Sequence, residues 1–181
     1  MTRVLSGLCL AAVIFTGGAV AQERHADRLD SLAQRHRDAL LVVRDTVRSV
    51  RAATVMFRRD LGSAAPETVI GRASSLRERC SAAIGVLEDR EPTFQSGIGS
   101  ERVQTATDSL IRAMGRLSSE LRQECVERFQ HEGPGVHADT LRAWGPYRIS
   151  RIDEAIRRYR AAVGNFARVV SITLPPRFNS D

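Results

Sequence analysis

Apolar side chains recur along this chain at alternating spacings of three and four residues, in four separate stretches. This spacing places them on one side of an α-helix, so each stretch predicts an amphipathic helix with one buried stripe. The first predicted helix is the longest and runs from about Arg24 to Leu61. Its stripe consists of Leu29, Leu32, His36, Leu40, Val43, Val47, Val50, Thr54, Phe57 and Leu61.

Two shorter helices are predicted next. The second begins near Pro66, a residue that suits the first turn of a helix, and ends before Pro92. The third runs from Ser100, a candidate N-cap, to about Gln130. Each stripe includes one cysteine: the second consists of Val69, Ala73, Leu76, Cys80, Ala83 and Leu87, and the third of Val103, Ala106, Leu110, Met114, Leu117, Leu121, Cys125 and Phe129.

The fourth predicted helix is capped by Asp139 and closed by Pro175-Pro176. Gly145-Pro146 is expected to kink or restart it. The β-branched run Val169 to Thr173 continues the helical spacing, and no hairpin dipeptide separates two alternating runs, so strands are not predicted. The stripe of this helix consists of Ile149, Ile152, Ile156, Tyr159, Val163, Phe166 and Val170.

Four amphipathic helices joined mainly by short connections favour an all-α fold, an up-down-up-down four-helix bundle that follows an N-terminal signal peptide. We assign residues 22–174 to the bundle and 175–181 to a short C-terminal tail. The bundle and tail together comprise about 160 residues, enough for one domain with a continuous core.

Residues 1–21 have the pattern of a secretory signal peptide. We expect cleavage after Ala21 and export to the periplasm or the medium. An uncleaved membrane anchor is the alternative, because Val4 to Ala21 is almost long enough to span a bilayer. The signal-peptide features are a positive start at Arg3, an apolar run from Val4 to Phe15, a helix break at Gly17-Gly18 and a small-x-small cleavage site at Ala19-Val20-Ala21.

An oxidising compartment favours pairing of the cysteines that follow the signal peptide, Cys80 and Cys125. If helices two and three formed a flush hairpin, these cysteines would lie roughly 22 Å apart, too far for a disulfide. Because the first helix is longer than the second, the third can start beyond the end of the second, with Phe94 and Ile98 covering the core there. We therefore predict a Cys80–Cys125 disulfide; separated or intermolecular thiols are the alternative.

The charged residues exclude several chemistries. All 27 basic residues are arginine, against 21 acidic residues. The absence of lysine excludes Schiff-base catalysis, Ser-Lys dyads and phosphate-loop lysines. Nucleic acid binding is not expected either, because the signal peptide directs the chain out of the cytoplasm and no dense basic run is interleaved with aromatic residues.

The richest arginine cluster lies on the fourth predicted helix. Within it, Arg148, Arg151 and Arg158 form a candidate anion-binding site, and the seven-residue spacing of the last two places them on one helix face. Guanidinium groups there could dock phosphate or carboxylate groups of a lipid, a glycan or an acidic envelope protein. The alternative is a solvated face on which the arginines pair with Asp153 and Glu154.

The histidines form no recognised metal or haem motif. Neither Glu-x-x-His nor Cys-x-x-Cys-His occurs, and we predict no resident cofactor. His36 is expected to hydrogen-bond a neighbouring acid. The spacing of the residues does not by itself exclude axial haem ligation by a histidine with Met56 or Met114. The spacing also allows a surface metal site formed by His131, Glu132, His137 and Asp139, although nothing in the sequence requires one.

The sequence also lacks the Gly-x-Ser-x-Gly motif of hydrolases and the glycine-rich turn of nucleotide-binding proteins. We therefore expect an exported, non-catalytic bundle that binds a partner or an anionic envelope component through an arginine-rich surface. A carrier of a small molecule, haem or metal in the bundle interior is the alternative. The pattern does not define an oligomeric state.

Overall fold

The computed structural model describes residues 16–94, 100–128 and 137–175, with side chains described from residue 31 onward. These ranges contain four α-helices and no strand, which confirms the all-α prediction. Two compact units are distinguished, residues 1–34 and residues 35–181. The helices are α1 (Thr16–Leu61), α2 (Pro66–Arg90), α3 (Glu101–Leu121) and α4 (Ala138–Val169); a 3-10 segment (Glu91–Phe94) follows α2, and a π-helical segment (Arg122–Glu127) follows α3.

Helix α1 starts at Thr16, earlier than the predicted start near Arg24. The predicted helix break at Gly17-Gly18 is wrong, because both glycines lie within α1. A glycine inside a helix costs about 1 kcal/mol relative to alanine, a penalty that helix-forming neighbours can offset. The rest of the predicted signal peptide, residues 1–15, lies outside the described residues. Within the described ranges, no helix is both long and apolar enough to cross a bilayer.

Helix α2 follows its sequence prediction closely. Pro66 occupies the first turn and Glu67 lies beside it, where a carboxylate interacts favourably with the helix dipole. All six predicted stripe residues of α2 are buried, and Ile84 is buried with them. Pro92 lies in the 3-10 segment that replaces the α-helix after Arg90.

Helix α3 begins where it is predicted to, directly after Ser100, but its α-helical part ends earlier than predicted. Ser100 has the extended backbone of an N-cap, but its side chain makes no capping hydrogen bond. The α-helical pattern ends at Leu121 and gives way to the π-helical segment, whose wider turn contains more residues than an α-helical turn. Cys125 lies in this segment and is fully buried. The predicted stripe residue Phe129 lies outside the described residues.

The Cys80–Cys125 disulfide is present within the chain, with 6.3 Å between the two Cα atoms. It links α2 to the π-helical segment after α3. Both cysteines are fully buried. The prediction of this pairing is confirmed. Phe94 is also fully buried where α2 has ended, as expected, whereas Ile98 lies outside the described residues.

Helix α4 is not capped as predicted. His137 is at the N-cap position without a side-chain hydrogen bond, and Asp139 lies in the first turn, where it accepts a 2.9 Å bond from Arg142. The helix does not restart at Gly145-Pro146 but continues through both residues. A Cβ atom at Gly145 would lie 3.0 Å from Leu61 Cδ1, so the absence of a side chain permits a close approach to α1.

Helix α4 also ends earlier than predicted, at Val169 instead of at Pro175-Pro176. Ser171 has a φ of 56°, and the amide of Ile172 donates a 2.8 Å hydrogen bond to the carbonyl of Ala167. This bond and the left-handed residue form the Schellman motif that closes many helices. Ile172 is buried, so the chain after the helix still contributes to the core.

His36 lies in the core, but its predicted acidic partner is wrong. Its Nε2 atom is 3.2 Å from the main-chain carbonyl oxygen of Thr93. Because a carbonyl only accepts, Nε2 carries the proton. The imidazole also contacts the rings of Phe94 and Phe166, with centroid distances of 5.3 and 5.5 Å. Burial lowers the pKa of His36 from its ordinary 6.5, the Thr93 bond opposes this shift, and Arg35 adds to it.

This lowered pKa predicts a loss of stability in acid. Below about pH 6.5, His36 of the unfolded chain gains a proton while the buried imidazole resists protonation, so the free energy of unfolding decreases as the pH falls. A His36→Gln variant should lose less stability than the wild type between about pH 7.5 and pH 5. Urea denaturation at several pH values measures this difference. His137→Gln, at an exposed position, is the control variant. If the free energy of unfolding depends on pH equally in the wild type and in His36→Gln, the prediction is wrong.

Tyr159 is a second polar group in the core. Its side chain is almost completely buried, and its hydroxyl has no hydrogen-bond partner among the described residues. Burial raises the pKa of this hydroxyl, so it stays protonated. An unpaired buried hydroxyl loses its hydrogen bonds to water without replacement, which is unfavourable for folding.

Tyr159→Phe should therefore raise the free energy of unfolding by about 1 kcal/mol, because it removes the unpaired group and keeps the ring. Tyr147→Phe, at an exposed position, should have no comparable effect. Thermal and urea denaturation of both variants test this. A Tyr159→Phe variant that is less stable than the wild type would show that the hydroxyl has a partner.

Candidate functional site

The three predicted anion-binding arginines all lie on α4, and each contacts a carboxylate. Arg148 Nη1 pairs with Glu124 Oε2. The other contacts are 2.7 Å from Arg151 Nη2 to Glu120 Oε1 and 2.8 Å from Arg158 Nε to Glu154 Oε1. Glu154 also pairs with Arg157, and Asp153 pairs with Arg58 of α1. Carboxylates thus contact all three predicted site residues.

Arg148 lies three residues before Arg151 on α4 but lines a different cavity. Its guanidinium lies 5.4 Å from the ring centroid of Tyr147 and faces Glu124 on the π-helical segment. It lines a surface cavity with Glu124, Glu127 and Arg128 that does not include Arg151 or Arg158. Arg148 therefore lines a different surface cavity from Arg151 and Arg158, although it lies about one helical turn from Arg151.

Arg151 and Arg158 line a groove of about 520 Å³ between α3 and α4, which we call the arginine groove. Two further arginines, Arg112 and Arg116, line it from α3. They are four residues apart and therefore lie one turn apart on the same side of that helix. The arginine groove thus has two guanidinium groups on each helix.

Arg112 and Arg116 differ from the arginines across the groove. Both are exposed, and within the described part of the chain neither forms a hydrogen bond or an ion pair. Arg112 and Arg116 were not predicted as site residues, because the predicted site comprised arginines of the fourth helix only. The available signal was their four-residue spacing on the side of α3 away from its stripe residues Leu110 and Met114.

The groove carries a net positive charge. Four arginines line it, and its two carboxylates, Glu120 and Glu154, offset only two of them. The hydrogen bond from Arg158 is the largest of the influences that lower the pKa of Glu154, so this carboxylate stays ionised. The carboxylates restrict Arg151 and Arg158, whereas the guanidinium groups of α3 are available to an anion.

Apart from its charged residues, the arginine groove is lined by alanines and by the polar residues Ser109, Ser119 and Asn165. Ala113 contributes from α3, and Ala155, Ala161 and Ala162 contribute from α4. Ala155 is buried, whereas Ala161 is exposed. An occupant of the groove would therefore contact alanine methyl groups as well as guanidinium groups and a few polar side chains.

The described residues contain no group of three or more histidine, cysteine or acidic side chains that could hold a metal ion. Of the predicted surface metal site, His131 and Glu132 lie outside the described residues, and Asp139 pairs with Arg142. The two methionines considered as haem ligands lie in different environments. Met114 is buried in the core, while Met56 lines a surface groove between α1 and α2.

Comparison with known proteins identifies no relative from which site residues could be assigned to this chain. The chain matches no protein-family model, no curated protein and no solved structure. Its function is therefore inferred from the residues and geometry of the arginine groove.

Proposed function

We propose that this chain is an exported, non-catalytic helical protein that binds an anionic partner or envelope component in the arginine groove. The observation that carries this proposal is the pair Arg112 and Arg116, exposed one turn apart with no carboxylate partner among the described residues. They face an occupant from one helix while Arg151 and Arg158 face it from the other.

Binding would use charge-assisted hydrogen bonds. A guanidinium group presents N–H donors in a planar fork that matches the oxygens of a carboxylate or a phosphate. Glu120 and Glu154 limit the side-chain freedom of Arg151 and Arg158, which lowers the entropy lost when those arginines bind. Binding of this kind requires no covalent chemistry.

Export is supported by two observations. Residues 1–21 have the pattern of a cleavable signal peptide. The Cys80–Cys125 disulfide is typical of proteins that fold in an oxidising compartment such as the periplasm or the medium. An anionic envelope component is therefore a more suitable partner than a cytoplasmic polyanion.

An up-down-up-down bundle is the topology that we propose for the four helices. Contacts between neighbouring helices in opposite chain order support it, because antiparallel helices meet in this way. Between α1 and α2, Ser49 contacts Arg79 and Asp60 contacts Arg72. Between α2 and the α3 region, Cys80 pairs with Cys125 and Glu88 with Ser118. Between the α3 region and α4, Glu120 pairs with Arg151 and Glu124 with Arg148.

Binding of labelled poly-L-glutamate, measured by fluorescence anisotropy, tests the proposed function. We expect Arg112→Ser/Arg116→Ser to raise the Kd about tenfold, because two of the four guanidinium groups that line the groove are lost. Raising the NaCl concentration from about 0.1 to about 1 M should also weaken binding, since the screening length falls from about 10 to about 3 Å.

The matched control is Arg90→Ser/Arg102→Ser, which removes the same charge at exposed positions outside the groove. This variant should bind almost as well as the wild type. Equal weakening in both double variants would show that net charge, not the groove, attracts the polyanion. Absence of binding to the wild-type protein at low salt would refute the proposed function.

A further inference from the structure

We infer that the occupant of the arginine groove is an acidic amphipathic α-helix of a partner protein. This inference rests on the proposed function and specifies the shape of the anionic partner. It depends on three features of the groove: its length, its alanine surface and the positions of its arginines.

The groove has the length of a short helix. Its lining positions on α3 extend from Ser109 to Glu120, and those on α4 extend from Arg151 to Asn165. At about 1.5 Å per residue, these segments are roughly 16 and 21 Å long. A partner helix of about three turns would cover the shorter segment.

The alanine surface suits the close approach of a helix. Ala113, Ala155 and Ala162 leave room between α3 and α4 that larger side chains would fill. Packed helices lie about 8 to 10 Å apart, depending on the side chains at the contact. A helix whose own apolar side chains point at these alanines would therefore bury an apolar stripe in the groove.

The arginines are positioned to flank such a stripe. Arg112 and Arg116 lie on α3, while Arg151 and Arg158 lie on α4. Charged residues that border the apolar seam of packed helices commonly select the partner helix. Because the groove carries two more arginines than carboxylates, acidic residues on both sides of the partner's apolar stripe would complement it.

Other anionic occupants use fewer of these features. A free phosphate would engage an arginine pair but neither the length nor the alanine surface. A membrane surface would gain affinity from exposed apolar side chains that enter the lipid. Among the described residues, the exposed large apolar side chains do not line the groove; they are Val42, Val55, Ile70 and Tyr147.

The test compares two labelled peptides with identical composition. The first is a helical peptide of about four turns, with leucine and alanine on one face and glutamate on both sides of that face. The second has the same residues in an order without helical amphipathicity. With the full protein, we expect the first to bind at least about tenfold more tightly and to gain helical circular dichroism on binding.

A variant that fills the groove without changing its charge separates shape from electrostatics. Ala161→Trp alters an exposed lining position, whereas Ala143→Trp alters an exposed position of the same helix outside the groove. Ala161→Trp should weaken binding of the amphipathic peptide about tenfold and leave that of poly-L-glutamate almost unchanged. Ala143→Trp should have little effect on either, and thermal denaturation verifies that both variants fold.

The outcomes distinguish the two proposals. If both peptides bind equally and both lose affinity in Arg112→Ser/Arg116→Ser, the helical occupant is refuted and the anion-binding function stands. If neither peptide nor poly-L-glutamate binds, both proposals fail. Preferential binding to phosphatidylglycerol vesicles, weakened by Arg112→Ser/Arg116→Ser, would identify a lipid surface and refute the partner helix.

Discussion

Replacement of both Cys80 and Cys125 by alanine is expected to lower the free energy of unfolding by about 4 kcal/mol. The disulfide joins residues separated by 45 positions, so it restricts the unfolded chain over a long loop. Since one kcal/mol shifts the midpoint of a domain of this size by about 2 to 4 °C, thermal denaturation should show a decrease of about 10 °C. Wild-type protein kept reduced with dithiothreitol is the control and should behave similarly.

The effect should also be uneven along the chain. The disulfide holds the π-helical segment Arg122–Glu127 against α2, so amide hydrogen exchange should increase more in this segment than in the centre of α3. A double variant within about 1 kcal/mol of the oxidised wild type would contradict the prediction.

Phe94→Ala is expected to cost about 4 kcal/mol, because it removes a fully buried ring and leaves a cavity. Phe94 lies on the short 3-10 segment after α2, and its ring is 5.3 Å from the ring of His36 and 5.7 Å from that of Phe166. It therefore fills the core between α1 and α4 at the level where α2 has ended.

Urea denaturation measures the loss for Phe94→Ala. Phe94→Leu should cost less than Phe94→Ala, since leucine retains part of the buried volume. Pro92→Ala, at an exposed position of the same segment, should cost little. A loss below about 1 kcal/mol for Phe94→Ala would show that neighbouring side chains close the cavity or that the ring is not essential to the core.

The buried stripes were predictable from the sequence because helical periodicity acts over many residues. In α2, every predicted stripe residue is buried, and in α4 the stripe is buried from Ile149 to Phe166. Leu32 of α1 and Val103 of α3 are only half-buried, and Val170 lies beyond the end of α4. There the left-handed conformation of Ser171 ends the helix, although the apolar spacing continues.

Helix caps were less predictable, because a cap depends on one side-chain conformation and on competing partners. Ser100 has a suitable backbone but makes no capping bond. Asp139 is engaged with Arg142 instead of serving as the cap of α4. His36 likewise bonds to the carbonyl of Thr93, a partner 57 positions away that the pattern around the histidine does not indicate.

The all-α class, most of the buried helix faces and the presence of a cysteine on each of two stripes follow from periodicity within single helices, so the order of residues was enough to predict them. The position of Arg112 and Arg116 across a groove from Arg151 and Arg158 was not predictable in this way, because it depends on tertiary packing. A groove between two helices depends on their relative position and rotation, which residues far apart in the chain set together through packing.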